Sequence, residues 1–335
     1  MRILIRPRLP VLALLLLAPA IPELLTGSTP ITPLFTDPIQ FAVSFLFDIG
    51  LYGTGALLIR EFAVRYRKGW ASILLLGAAY GIAEEGLAVH TFFETSGQPV
   101  GALGVYGHAF GVNWLWALGL TVFHATYSIA LPILLTQLVF PEVKQSRWFD
   151  RGSVALLATV YLAVVGVFAF TTGHGPSRPA LALFLGVVAV LVVLAWRVPG
   201  DLLRLTPGPR RIGPWGLWLA GTLEWDAWIT VLALSSSARV PAAVAAVVVV
   251  LANLGALALV LRRAGAEDLD RTKLYFATGM LVPVFLWDIA VEFTVPGILL
   301  VAAVFAYFLY WLFRELDRRS RDAAGTLPPG LQPLA

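Results

Sequence analysis

At 335 residues, 59% hydrophobic and 13% charged, with a mean hydropathy of +0.82, the chain falls outside the composition of water-soluble domains and reads as a polytopic membrane protein. It has no cysteine, which excludes disulfides, thiol catalysis and cysteine-ligated metal clusters. The net charge of +4 marks orientation and anionic-lipid contact on the cytoplasmic face, and it is no nucleic-acid footprint.

Apolar runs near the roughly 20 residues that a bilayer demands predict about ten transmembrane helices. They cover approximately 9–25, 39–60, 70–93, 112–139, 152–172, 179–197, 213–235, 240–261, 273–292 and 295–314. The expected fold class is therefore all-α, a polytopic membrane helix bundle. Residues 1–314 form a single transmembrane domain. Residues 315–335 form a cytoplasmic tail that starts as a basic helix end and finishes in Gly/Pro-rich coil, expected to be disordered. With the N-terminus inside, every basic residue except Arg178 and Arg239 falls in a cytoplasmic segment. That asymmetry places both termini in the cytoplasm of a plasma-membrane protein. The first run has a second reading, because Ala18-Pro19-Ala20 resembles a signal-peptide cleavage site; cleavage would leave every later orientation unchanged.

The second helix carries Ser44, Asp48 and Tyr52 at intervals of four, one polar stripe. The third carries Tyr80 and the adjacent pair Glu84-Glu85, with His90 near its outer end. An acidic residue in mid-bilayer costs about 2.5–3.5 kcal/mol on insertion scales, so a chain that keeps two is expected to use at least one. Neighbouring helix positions diverge by about 100°, which allows at most one of the two glutamates to face any single neighbour squarely. In the following loop, Gly97, Gly101, Gly104, Gly107 and Gly111 recur at helical spacing, so the segment reads either as a glycine-faced helix or as a flexible loop. The fourth helix places Thr121, His124 and Ser128 on one face. The seventh holds Thr222, Asp226 and Thr230 beside Glu224, and the ninth holds Asp288 and Glu292. Counted from the outer ends, Glu84 and Glu85 lie about nine residues in, roughly 13 Å. Asp48, His124 and Asp226 lie at a similar level. His90 and His108 are expected at the outer surface, and Asp288 and Glu292 at a hydrated helix end.

Glu84, Glu85 and His124, with Ser128, are the candidate catalytic set, and Asp48, Asp226, Asp288 and His90 are further membrane-level polar groups. Two carboxylates and an imidazole suit a general base with an oxyanion partner. They also suit a proton relay. They could hold a divalent metal, although their spacing matches no zinc motif such as H-E-x-x-H. The bland alternative is a structural carboxyl–imidazole pair stapling helices 3 and 4.

The strings GAAYGIAEEGLAVHTFF, FHATYSIALPILL and PELLTGSTP resemble uncharacterised bacterial and archaeal multi-pass membrane proteins over roughly the first 150 residues. The first two strings are also faintly similar to the CPBP intramembrane proteases, which include the CAAX prenyl endopeptidases. That resemblance implies a Glu-Glu pair that activates water, here Glu84-Glu85, and an HxxxN/D motif, here His124 with Ser128 in the Asn/Asp place. Val89 stands where that family has Arg, and no FxxxH is present, since Gly86, Gly104 and Leu120 precede His90, His108 and His124 by four. The expected function is a CPBP-like intramembrane hydrolase acting in the outer half of the bilayer. The alternatives are a proton- or cation-coupled transporter and a non-catalytic scaffold or lipid-binding subunit.

Overall fold

The computed structural model describes residues 8–95, 105–173, 175–204, 212–263 and 269–325, with side chains except at 224–235, 259–263 and 323–325. Helix α1 spans Arg8–Pro19 and continues as a π-helical turn, Ala20–Leu24. It is followed by α2 (Pro38–Arg65), α3 (Trp70–Ala88) and α4 (Trp114–Val139). Then come α5 (Arg151–Thr171), α6 (Arg178–Arg197), α7 (Pro214–Ser237), α8 (Ala242–Arg263), α9 (Leu269–Val291) and α10 (Ile298–Gly325). Strand among the described residues is limited to a hairpin pairing His108–Ala109 with Val112–Asn113. Helices α2 to α6, α9 and α10 are long and apolar enough to cross a membrane.

Local chemistry sets the helix starts. Asp37 accepts from the Gln40 amide at 3.1 Å ahead of Pro38, Asp150 from the Ser153 amide at 2.7 Å, and Ser177 from the Ala180 amide at 3.4 Å ahead of Pro179. Each is an N-cap that satisfies a first-turn amide, and proline is tolerated where no amide is needed. In α5 no residue is buried, and its Leu156 and Leu162 are both 65% exposed. For a helix of that composition, lipid is the matching solvent.

α3 packs against α2, α4, α5 and α6, while α1 leans on α2 and α4. On the other side α7 packs on α8 and α9, and α10 follows α9. Leu14, Ala18, Ile21 and Leu25 of the first segment are buried in the core, so α1 is built into the bundle. The α3–α4 contact depends on a Gly-x-x-x-Gly pair. A Cβ on Gly77 would lie 2.8 Å from Ala125 Cα, and one on Gly81 2.8 Å from His124 Cβ. Without side chains there, the two backbones reach a separation that larger residues forbid.

At the other end of α2, Arg60 and Glu61 pin the segment after α4. The Arg60 guanidinium lies 3.6 Å from the Trp148 ring centroid and donates to the Val143 and Lys144 carbonyls at 2.9 and 3.1 Å. Glu61 accepts from the Trp148 amide at 3.0 Å and from Arg65 at 3.0 Å.

Several expected boundaries move. α3 ends at Ala88, not 93, and the chain turns at His90, whose backbone is left-handed (φ 63°). The glycine-rich segment is a turn and hairpin over its described residues, 105–113, with Gly107 and Gly111 at φ +80° and +76°; Gly97, Gly101 and Gly104 lie outside the described residues. α10 runs past the expected end at Arg314 to Gly325, so the described part of the tail is helical. Glu315 pairs with Arg318 at 2.7 Å and Arg319 at 2.8 Å, and Arg319 donates to the Leu138 and Val139 carbonyls that end α4. Ion pairs three and four residues apart support a helix end, and the guanidinium satisfies orphan carbonyls.

Overpacking a tight contact typically costs about 1–3 kcal/mol. Gly81→Val is therefore expected to lower the melting temperature in detergent by several degrees, whereas Gly166→Val, where a Cβ meets nothing within 4 Å, leaves it unchanged. Equal melting temperatures for the two variants would refute the close-contact role of Gly81.

Candidate functional site

Four helices abandon regular α geometry at one place. The π-helical segments are Ala20–Leu24 of α1, Ile49–Gly53 of α2, Ile82–Ala88 of α3 and His124–Ala130 of α4. They carry Glu23, Tyr52, Glu84-Glu85 and His124-Ser128, in that order. π-bulges are rare and concentrate at functional sites.

At the centre is the imidazole of His124. Its Nδ1 lies 3.2 Å from Glu84 Oε2 and 2.9 Å from Ser128 Oγ, and its Nε2 lies 3.0 Å from Glu85 Oε1. Both glutamates therefore face one neighbour, contrary to the regular-helix expectation. The wide turn at Ile82–Ala88 draws successive side chains closer in direction, and the ring offers opposite edges to the two carboxylates. The Nε2–Glu85 and Nδ1–Ser128 contacts are hydrogen bonds, whereas Glu84 Oε2 stands within ion-pair distance of Nδ1 without a hydrogen-bond partner among the described residues. Glu84 and His124 are 2% exposed and Ser128 is fully buried. The rings of Tyr52 and Tyr80 flank His124 at centroid distances of 6.0 and 6.1 Å, and both phenols face Glu84.

The network continues both ways. Tyr52 donates to Glu23 Oε1 at 2.6 Å, and Thr29 donates to Glu23 Oε2 at 2.8 Å. Asp48 stands beside Glu23, its Oδ2 buried without a hydrogen-bond partner among the described residues. In the other direction Thr91 donates to Glu85 Oε2, and Trp116 Nε1 donates to Thr91 Oγ1 at 3.1 Å. Glu23 was invisible to helix-by-helix reading because it sits at the end of a short first helix. The available signal was an acidic residue directly after Pro22 in an apolar run.

Of the expected residues, the structure brings together Glu84, Glu85, His124 and Ser128, with Asp48 at the edge. The polar stripe of α2 divides, since Ser44 is exposed while Tyr52 is buried. The α4 face divides as well, Thr121 lining a different cavity. His90 is buried rather than at the surface, because its left-handed turn folds it under Gly175. His108 pairs with Asn113 in the hairpin at 2.5 Å. Asp288 is fully buried, with neither carboxylate oxygen partnered among the described residues. Glu292 accepts from the Gly297 and Leu299 amides, each at 3.0 Å, and so caps the start of α10; those amides hold its carboxyl below the ordinary range. The side chains of Glu224, Asp226 and Thr230 lie outside the described residues.

Glu84, Glu85 and His124 each offer one ligand atom, all within 4.8 Å of one another, a spacing compatible with one divalent cation. A family model matches residues 12–316, a span that contains every residue of this network, and its description is an uncharacterized membrane protein family. The chain belongs to this family. No curated protein and no solved structure matches it. Family membership thus makes the chain a membrane protein and leaves its chemistry to the network itself.

Removing one partner from a buried charged set typically costs about 3–5 kcal/mol, because the others are left uncompensated. His124→Ala is expected to lower the melting temperature sharply, and adding Glu84→Gln to recover part of the loss. Strictly additive losses in this double-mutant cycle would show that the two side chains do not share a charge network.

Proposed function

We propose that the Glu84–Glu85–His124 group is the centre of a glutamate-dependent intramembrane hydrolase of the CPBP-like type. The observation that carries this reading is the approach of two adjacent glutamates to the two nitrogens of one buried imidazole, at 3.2 and 3.0 Å. The roles follow from access. Glu85 is the most open of the three, its side chain 13% exposed against 3% for Glu84 and 2% for His124. Glu85 takes a proton from water as the water oxygen attacks a peptide carbonyl carbon. Protonated Glu85 no longer needs the His124 Nε2 proton, which turns to the developing oxyanion. The proton on Glu85 then passes to the leaving nitrogen as the C–N bond breaks. Ser128 holds the ring in place through Nδ1 with the Glu84 carboxyl beside it, and Thr91 orients Glu85 from its far oxygen. A divalent metal on the same three residues would supply a Lewis acid for the carbonyl.

Charge placement supports a plasma-membrane protein with both termini inside. Arg65, Lys144, Arg147, Arg204 and Lys273, from four separate loops assigned to the cytoplasm, all line one cavity at one end of the bundle. The count of about ten spans draws support from α1, α7 and α8, helices that add to the seven long apolar ones. These form one membrane domain, with the chain beyond it cytoplasmic.

The run of titratable groups Asp48, Glu23, Tyr52, Glu84 and His124, within which Tyr52 donates to Glu23 at 2.6 Å, favours a second reading, proton- or cation-coupled transport, because closely spaced titratable groups are what a relay requires.

Glu85→Gln separates the readings. In the hydrolase, it is expected to abolish cleavage by at least about 10²-fold, the usual worth of a general base, with the melting temperature nearly kept. The measurement compares the N-termini of membrane peptides in cells carrying either form. An unchanged set of termini, combined with loss of proton-driven flux in liposomes, would replace hydrolysis by transport. No change in either would leave a structural staple.

A further inference from the structure

A second feature of the molecule lies away from His124. A cavity of about 2120 Å³ opens between α4 on one side and α8 and α9 on the other, and none of Glu23, Glu84, Glu85 or His124 lines it. Its lining is sharply divided. Eight basic residues, against Glu142, Asp150 and Asp201, gather at one end, where α2, α3, α5, α6 and α9 begin or finish. Some of these cations are committed. Arg65 binds Glu61, Lys68 donates to the Val198 carbonyl at 3.0 Å, and Lys144 and Lys273 share Asp270. Arg67, Arg147 and Arg204 are exposed and have no acidic partner among the described residues. Away from that mouth the wall is apolar, formed by Leu74, Leu131, Leu134, Leu254, Leu257 and Phe276.

We propose that this cavity is a binding site for an anionic phospholipid of the surrounding bilayer, with the phosphate headgroup at Arg67, Arg147 and Arg204 and an acyl chain along α4. Charge complementarity selects the headgroup, since the three guanidiniums form an unneutralised cationic mouth suited to phosphate oxygens. Length selects a lipid over a soluble anion. The stretch of α4 from Thr121 to Gln137 lines the cavity and covers roughly 24 Å at 1.5 Å per residue. One leaflet contributes roughly 15 Å, half of the ~30 Å hydrocarbon core. The wall is therefore deep enough for a headgroup and a full acyl chain. The lipid enters from the side of α8, where Leu254 lines the cavity and is 57% exposed. The site does not depend on the hydrolase reading. Its wall at Ala78 and Ala125 is the back of the α3–α4 contact that holds His124.

The test is native mass spectrometry of the full chain in neutral detergent, titrated with phosphatidylglycerol or phosphatidylcholine. The wild-type protein is expected to retain phosphatidylglycerol and lose phosphatidylcholine. A surface cation near anionic lipid is worth about five-fold in affinity, so Arg147→Gln with Arg204→Gln is expected to weaken retention roughly 25-fold without changing the melting temperature. Leu257→Trp, which fills the apolar wall and leaves the charges, is expected to weaken it as well. Inorganic phosphate at matched ionic strength is expected not to displace the lipid. Equal retention of the two lipids, or undiminished retention by the double arginine variant, would overturn the proposal. Displacement by phosphate, with Leu257→Trp inert, would replace the lipid by a soluble anion.

Discussion

The bundle is organised around one contact, the imidazole of His124 held between Glu84 and Glu85 where α3 and α4 run closest. That contact combines two costs. Charged or polar groups sit deep in the protein, and two helices are drawn together without side chains between them at Gly77 and Gly81. The first cost is offset by mutual pairing, and the second by the packing that close backbones permit. The two are coupled, because a Cβ at Gly81 would strike His124 itself. The same geometry that fixes the helix pair therefore fixes the ring.

The π-helical turns give the site its shape. A regular helix would send Glu84 and Glu85 about 100° apart and leave one of them facing elsewhere. The widened turn of α3 brings both to the ring, and the widened turn of α4 lets His124 and Ser128 face it while Thr121 faces the other way. On α1 and α2 the widened turns hold Glu23 and Tyr52 in hydrogen-bond contact. Each π turn costs its helix regular hydrogen bonding. Four of them converging on one polar group are best explained by the geometry that group demands.

The helix positions were legible in the sequence because hydrophobic length is a strong signal. The pairing of Glu84, Glu85 and His124 was legible as a shared depth. What stayed hidden was angular. Sequence periodicity assumes a regular helix, so it placed Ser44 with Tyr52 and Thr121 with His124, pairs that the structure splits. It also treated charges near helix ends as hydrated. Asp288 is fully buried, whereas Glu292 stays accessible while it caps the amides that open α10. Burial in a multi-helix protein depends on which helix lies alongside, and no local pattern encodes that. Glu23 was missed for the same reason, since its partners come from Thr29 and from α2.

The two polar features of the molecule divide its interior by mode of access. The His124 network is narrow and flanked by Tyr52 and Tyr80, and of the Glu84–Glu85–His124 group Glu85 is the most open. The large cavity is wide, cationic at one mouth and apolar in depth, so what enters it is amphipathic. α4 is common to both, with His124 and Ser128 on one face and Thr121, Ala125 and Thr126 on the other. A rotation of α4 about its own axis would move both faces at once. A Cβ on Gly81 would lie 2.8 Å from His124 Cβ, so the α4 backbone that lines the cavity is the same one packed tightly against α3 at the carboxyl–imidazole contact.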